Sequence, residues 1–304
     1  QPRQPARGRR GGSCGRQTPG EKCSEARPQE GGEDDGARTV TLSRLDLVDI
    51  GVNLAHDSFD ADRDAVIERA RSAGVRRMIV TGSTLRSSTD ALGLAATDAG
   101  LYATVGVHPH HASELDAGQA AGLADLLRHP RAVAVGECGL DFFRDFSPRP
   151  RQEEAFRVQL ELAMQAGLPV FLHQRDAHER FVAILDECGP RRPAGVAHCF
   201  TGGPAELRDY LDRGLYVGVT GWICDERRGD ALRAAARFLP LDRVMVETDA
   251  PYLLPRDLEP RPRTRRNEPM HLPHVLDALA RLMEVPPERL AEASTRNAET
   301  LFRL

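Results

Sequence analysis

Four short segments of this 304-residue chain each end a β-type run on a residue that binds metal ions: AVAVGE on Glu137, PVFLH on His173, GVAH on His198 and VMVETD on Asp249. Imidazoles and carboxylates together accept Mg²⁺, Mn²⁺ or Zn²⁺. A divalent cation in such a set acidifies water and polarises an ester or phosphoryl oxygen, which is the chemistry of hydrolysis. A lone histidine in a strand is ordinarily structural. Here two close successive strands, with one carboxylate a strand earlier and another two strands later. Each residue sits on its own run, so only a fold that gathers strand ends can unite them. A parallel β/α barrel does this, because its strand C-termini share one face.

The elements that must position these residues are legible. Apolar, β-branched runs recur about every 30 residues at 45–52, 76–82, 101–107, 131–137, 168–173, 194–200, 214–221 and 242–249. Near-continuous apolar runs suit strands buried on both faces, as in an all-parallel sheet. Helical patterns fall between them. Asp60–Ala73 ends at Gly74, Pro148–Ala166 has Ser147 as N-cap and stops at Gly167, and Pro204–Asp212 ends at Gly214. Two more helices, about 271–284 and 286–303, follow the last strand. No pair of runs is joined by a two-residue hairpin turn, so right-handed crossovers connect them. The expected fold is α/β, a single (β/α)8 TIM barrel over 45–304. A doubly wound open sheet is the alternative, but no GxGxxG or phosphate-binding glycine loop supports it. Reading the strand ends in order gives Asp49 with Asn53, Thr81, His108 with His110, Glu137, His173, His198, Trp222 and Asp249.

Residues 1–44 are set apart. Up to about residue 38 they are rich in Gly, Arg, Gln, Pro and Glu without apolar periodicity, and are expected to form a disordered extension. Arg9-Arg10 is not followed by the apolar stretch of an export signal. Six cysteines without a CxxC or a secreted-domain spacing read as reduced thiols. Cys138 and Cys199 directly follow Glu137 and His198, so strand alternation is expected to turn them outward. No apolar run reaches the roughly 18–20 residues that cross a bilayer. A cytoplasmic monomer is the expectation.

Net charge is -4, so no global basic field draws in a polyanion. Local charge does. The segment PRDLEPRPRTRRNEP (255–269) places Arg256, Arg261, Arg263, Arg265 and Arg266 after the last strand, and Arg175 lies two residues beyond His173. Guanidinium forks match phosphate oxygens, although Asp257, Glu259 and Glu268 could equally neutralise the loop. Trp222, Phe142, Phe143, Tyr252 and Phe200 stand near strand ends, where rings stack on unpaired bases or simply pack, with Trp222 the foremost candidate for contact.

The segments DIGVNL (49–54), GVHPH (106–110), GECGLDF (136–142), HQRDAHERF (173–181), HCFTG (198–202), GWICDERRG (221–229), ETDAPYLLPRDL (247–258) and RRNEPMHLPH (265–274) resemble, in this order, the TatD family of metal-dependent deoxyribonucleases, and its bacterial members in particular. That family belongs to the amidohydrolase-like barrels, and the resemblance runs from about Leu47 to the C-terminus. It implies 3′→5′ exonuclease action on ends of single-stranded DNA, and of RNA, with a divalent cation, Mg²⁺ foremost and Mn²⁺ or Zn²⁺ as alternatives. Glu137, His173, His198 and Asp249 would hold the metal, with Asp249 and Glu137 catalytic and His108 beside the substrate. Asn53, Arg175, Trp222, Arg265 and Arg266 are the expected substrate contacts. One departure stands out. Many relatives carry a D-x-H-x-H pattern on the first strand, whereas Asp49-Ile50-Gly51-Val52-Asn53 puts Gly51 and Asn53 at the histidine positions. One firmly bound ion is therefore expected, with any second ion held mainly through substrate phosphate. Two other readings stay open: a metal-dependent ester or C–N hydrolase such as an aminoacyl-nucleotide deacylase, and a non-catalytic nucleic-acid-binding protein using the Arg/Gly tail.

Overall fold

The structure is a computed structural model that describes residues 46–304; the extension expected at 1–44, with Cys14 and Cys23, lies outside the described residues. Eight parallel strands form one sheet in sequence order: β1 Leu47–Val52, β2 Val75–Val80, β3 Leu101–Val105, β4 Ala132–Asp141, β5 Val170–Arg175, β6 Gly195–Ala197, β7 Tyr216–Val219 and β8 Val244–Val246. Between successive strands lie α1 Arg63–Ser72, α2 Leu85–Ala95, α3 Ala117–Leu126, α4 Arg149–Ala166, α5 His178–Glu187, α6 Pro204–Asp212 and α7 Asp230–Ala236. After β8 come α8 Leu272–Met283 and α9 Pro287–Phe302. This is the expected (β/α)8 barrel.

The seam between β8 and β1 is closed by particular bonds. Asp249 N–H donates to Gly51 O at 2.8 Å and Asn53 N–H to Ala250 O at 2.7 Å. Buried Asp49 accepts from Thr248 N–H at 2.9 Å and from the Thr248 hydroxyl at 2.5 Å. The first and last strands are thus joined at the level of the ligands, which fixes Asp249 relative to the rest of the ring.

Alternation along each strand sorts side chains into two layers. In β5, Val170 and Leu172 face the helices, while Phe171 joins Val48, Ile50, Ile79, Val133, Val196 and Met245 inside the barrel. That inner cluster continues into Ala298, Leu301 and Phe302 of α9 and meets Tyr102 and Tyr216 near the starts of β3 and β7. The last helix therefore stoppers the end of the barrel opposite the strand C-termini. In the outer layer Phe156 of α4 stacks on Phe181 of α5 at 5.2 Å.

Gly167 stops α4 in the left-handed region at φ 64°, as expected. Ser147 is not the N-cap of that helix. Its hydroxyl donates to His110 O at 2.9 Å and accepts from Ser113 N–H at 3.2 Å, so it ties two loops of the mouth together. Among the described residues, no helix is long and apolar enough to cross a membrane.

Candidate metal centre and its surroundings

All four strand-end residues open on the C-terminal mouth, but the local backbone differs from plain strand. Glu137 lies inside β4, which runs on to Asp141. Gly136 and Gly139 flank it at φ 146° and 145°, a region closed to side-chain-bearing residues, and this deformation aims Glu137 inward. β6 ends at Ala197, so His198 is the first residue beyond it. β8 ends at Val246, and Asp249 sits in the following turn at φ 53°. Non-glycine residues in that region cost about 1–3 kcal/mol and gather at functional sites.

Glu137 Oε1 is the centre. His173 Nδ1 donates to it at 2.8 Å, His108 Nε2 lies 3.3 Å away and His198 Nε2 3.5 Å away. His108, Glu137 and His173 form one group with ligand atoms within 4.8 Å of each other, and His198, Cys199 and Asp249 form a second. His108 is thus a member of the ligand cluster itself. Buried His173 Nε2 has no hydrogen-bond partner, although Asp141 Oδ2 is 3.4 Å away.

Charge points the same way. Asp49, Glu137, Asp141 and Glu247 are all buried at this mouth, with Asp249 beside them, and buried carboxylates need ion pairs or metals. Burial works against the Glu137 charge, but His108 and His198 outweigh it and hold the carboxyl well below its usual range. Burial works against protonating His198, yet Glu247 and Glu137 prevail and hold the ring up to about 10. Burial lowers His108 to about 4, against the pull of Glu137. Burial, reinforced by Glu137 and Glu247, pushes Asp249 up to about 7. An orphaned imidazole nitrogen amid surplus buried carboxylate fits a divalent cation.

Several side chains take places that the sequence did not indicate. Asp141 accepts from His110 Nε2 at 2.8 Å and from the backbone of Phe143 and Arg144; burial works against its charge, but His110, His173 and the Arg144 N–H hold it below its usual range. Glu247 accepts from His198 Nδ1 at 2.7 Å and from Cys199 N–H at 2.5 Å. Both are second acids within the motifs GECGLD and ETD, a repetition that could have flagged them. Cys199 does not turn outward. The strand has already ended, and at φ 46° its thiol is redirected among His198 and Asp249. Cys138, by contrast, is packed in the outer core. Cys138, Cys188, Cys199 and Cys224 are free thiols.

The expected substrate contacts divide. Asn53 Nδ2 donates to Asp249 Oδ1 at 3.0 Å, so its amide orients the carboxylate instead of standing open. Arg266 is engaged in ion pairing: it reaches Asp62 through both terminal nitrogens at 2.8 Å, Glu268 at 2.8 Å and Ser58 O at 2.7 Å, and it covers the Phe59 ring. It clamps the 255–269 loop to α1. Arg256 is likewise paired, with Glu226 at 3.1 Å. Arg265 is exposed and has no ion pair among the described residues. Arg175 and Trp222 both line a cleft that includes His198. Arg266→Ala is accordingly expected to cost roughly 1–3 kcal/mol of stability, because Asp62 and Glu268 lose one of two arginine partners and keep only Arg69, read as a lower denaturant midpoint. A phosphate-binding role would instead show as an altered salt dependence of substrate binding with the midpoint unmoved.

Comparisons with known proteins agree with this geometry. The sequence model of the family described as TatD related DNase matches residues 48–303. A protein of Edwardsiella piscicida named 3′-5′ ssDNA/RNA exonuclease TatD is 52% identical over 259 residues, covering 85% of this chain and 100% of the relative. The protein of the same name from Salmonella typhimurium is 47% identical, covering 85% and 99%. Among solved structures, a TatD homologue from Escherichia coli superposes with a TM-score of 0.79 at 30% identity, covering 86% of this chain and 99% of that one. A TatD-family hydrolase from Entamoeba histolytica gives 0.78 at 25% identity, covering 85% and 98%.

Proposed function

The chain belongs to the family of TatD-related DNases, and on that footing we propose that it is a metal-dependent 3′→5′ exonuclease on single-stranded DNA and RNA ends. The observation that carries this reading is the convergence of three imidazoles on Glu137 Oε1 beside Asp249. Relatives named for the same activity are aligned over essentially their whole length. The working unit is residues 45–304, acting as a monomer. The free thiols suit a reducing compartment, and we place the protein in the cytoplasm.

Glu137, His173 and His198 would hold the cation, with Asp249 and His108 adjoining them; Mg²⁺ is the candidate we favour, with Mn²⁺ and Zn²⁺ as alternatives. When bound, a divalent cation supplies Lewis acidity toward a phosphoryl oxygen and a nucleophile from water at neutral pH. Asp249, fixed by Asn53 and by the Gly51 carbonyl, takes the proton of the attacking water. His108 and Arg175 offset charge that develops on the phosphoryl group. Asp141 and Glu247 hold His110 and His198 in place.

Metal-stripped protein is expected to leave 3′- and 5′-labelled single-stranded DNA intact, and to release the 3′ label first once Mg²⁺, Mn²⁺ or Zn²⁺ is restored. Cleavage that survives chelation excludes the metal mechanism, and first release of the 5′ label excludes the polarity. Far higher activity on aminoacyl esters than on DNA would move the assignment to ester hydrolysis.

A further inference from the structure

Beside the ligand cluster lies a cleft of about 330 Å³, lined by residues of β5 and by the segments that follow β4, β5, β6 and β7. His198 belongs to its lining, so the cleft adjoins the centre. Two of its features pair an aromatic ring with a cation. The Arg175 guanidinium lies 4.0 Å over the Phe143 ring, and that of Arg228 lies 4.4 Å over Trp222. Phe143 is 54% exposed, unusual for a phenylalanine and unexplained by packing. Arg228 is aimed by Asp225, which accepts from it at 3.1 Å. Rings and guanidinium planes both offer faces on which an unpaired base stacks. Asp176 and Glu206 also line the cleft. Their carboxylates repel phosphate but accept hydrogen bonds from base N–H groups.

We propose that this cleft is a subsite for one unpaired nucleobase next to the scissile phosphate, walled by Phe143–Arg175 and Trp222–Arg228. The proposal rests on the nuclease reading above and deepens it. The cleft is at the small end of ligand pockets, roughly 300–1,000 Å³, and takes a base without taking a helix. The two arginines keep the phosphate at the rim while the acids admit only the base. Preference for single strands then has a local cause, since a paired base cannot leave its partner to enter without the cost of unpairing.

Trp222 is the only tryptophan of the chain, so its emission reports directly on the cleft. The full chain is titrated with a short single-stranded oligonucleotide of phosphorothioate linkages, with the matching duplex, and with a base-free pentose-phosphate oligomer. The single strand should quench Trp222 saturably, while the duplex and the base-free oligomer should not. Phe143→Ala and Arg228→Ala should raise the half-saturating concentration, and KM on cleavable DNA, roughly 5- to 100-fold with kcat little changed. Trp222→Phe should restore most of the KM that Trp222→Ala loses, and far-UV dichroism checks that each variant is folded. An oligonucleotide that binds by anisotropy and is cleaved, yet leaves Trp222 emission unchanged, overturns the subsite and spares the nuclease reading. Equal quenching by the base-free oligomer does the same. An oligonucleotide neither bound nor cleaved in the presence of metal overturns both.

Discussion

Asp249→Asn is expected to lower turnover about 10²–10⁴-fold while leaving affinity for the divalent cation within roughly tenfold. The substitution is nearly isosteric. The new amide oxygen can still accept from Asn53 Nδ2, which lies 3.0 Å from Asp249 Oδ1, and the backbone N–H still donates to Gly51 O. What the amide loses is the capacity to take a proton. The wild-type carboxyl is raised by burial and by Glu137 and Glu247 to about 7, and a cation beside it draws that value down, so that the group is an ionised base at neutral pH. A base acts above its pKa, so the wild-type rate should rise with pH through this group and the rising limb should vanish in the variant. The loss corresponds to about 3–5 kcal/mol of transition-state stabilisation. Single-turnover cleavage and calorimetric metal titration separate the two functions. Unchanged turnover removes Asp249 from the proton path, and metal loss in proportion to turnover makes it a ligand alone.

The barrel was legible because strands buried on both faces write near-continuous apolar runs, and because eight such runs alternate with helical patterns. The mouth followed, since parallel strands share one C-terminal face and the apolar runs that end on Glu137, His173, His198 and Asp249 belong to four of them. What escaped depends on backbone beyond the strand. Alternation placed Cys199 outward, but β6 ends at Ala197 and a left-handed residue reverses the rule. Asp141 was hidden because β4 continues four residues past Glu137. Charge alone could not tell a paired arginine from an open one. Arg266 is locked to Asp62, a residue some 200 positions away whose proximity no local pattern announces. Asn53 was read by its chemistry as a substrate contact, and only geometry reveals its nearer partner, Asp249.

The largest effect on metal affinity from a residue outside the expected ligand set should come from Glu247. Glu247→Gln is expected to weaken binding of the divalent cation about 10- to 100-fold, the usual consequence of removing the carboxylate behind a ligating histidine. Fully buried Glu247 accepts from His198 Nδ1 at 2.7 Å and so assigns the proton to that nitrogen, leaving Nε2 to face Glu137 Oε1. Its other oxygen accepts from Cys199 N–H and holds the left-handed turn that carries the thiol and His198 together. An amide keeps one acceptor and must offer a donor to the other, so one of these two contacts fails. The carboxylate reaches this position only because residue 51 is glycine. A Cβ there would stand well inside van der Waals contact distance of Glu247 Oε2 and 2.9 Å from Phe171 Cζ. Gly51→Ala should therefore lower the melting temperature and weaken the cation together, and adding Glu247→Ala should recover stability without recovering affinity. That pattern would make the glycine at 51 and the acid behind His198 one arrangement: β1 gives up a ligand position, and the residue just past β8 uses the space to fix a ligand just past β6. Metal affinity of Glu247→Gln equal to wild type, with Gly51→Ala melting normally, would separate the two features and leave the glycine unexplained.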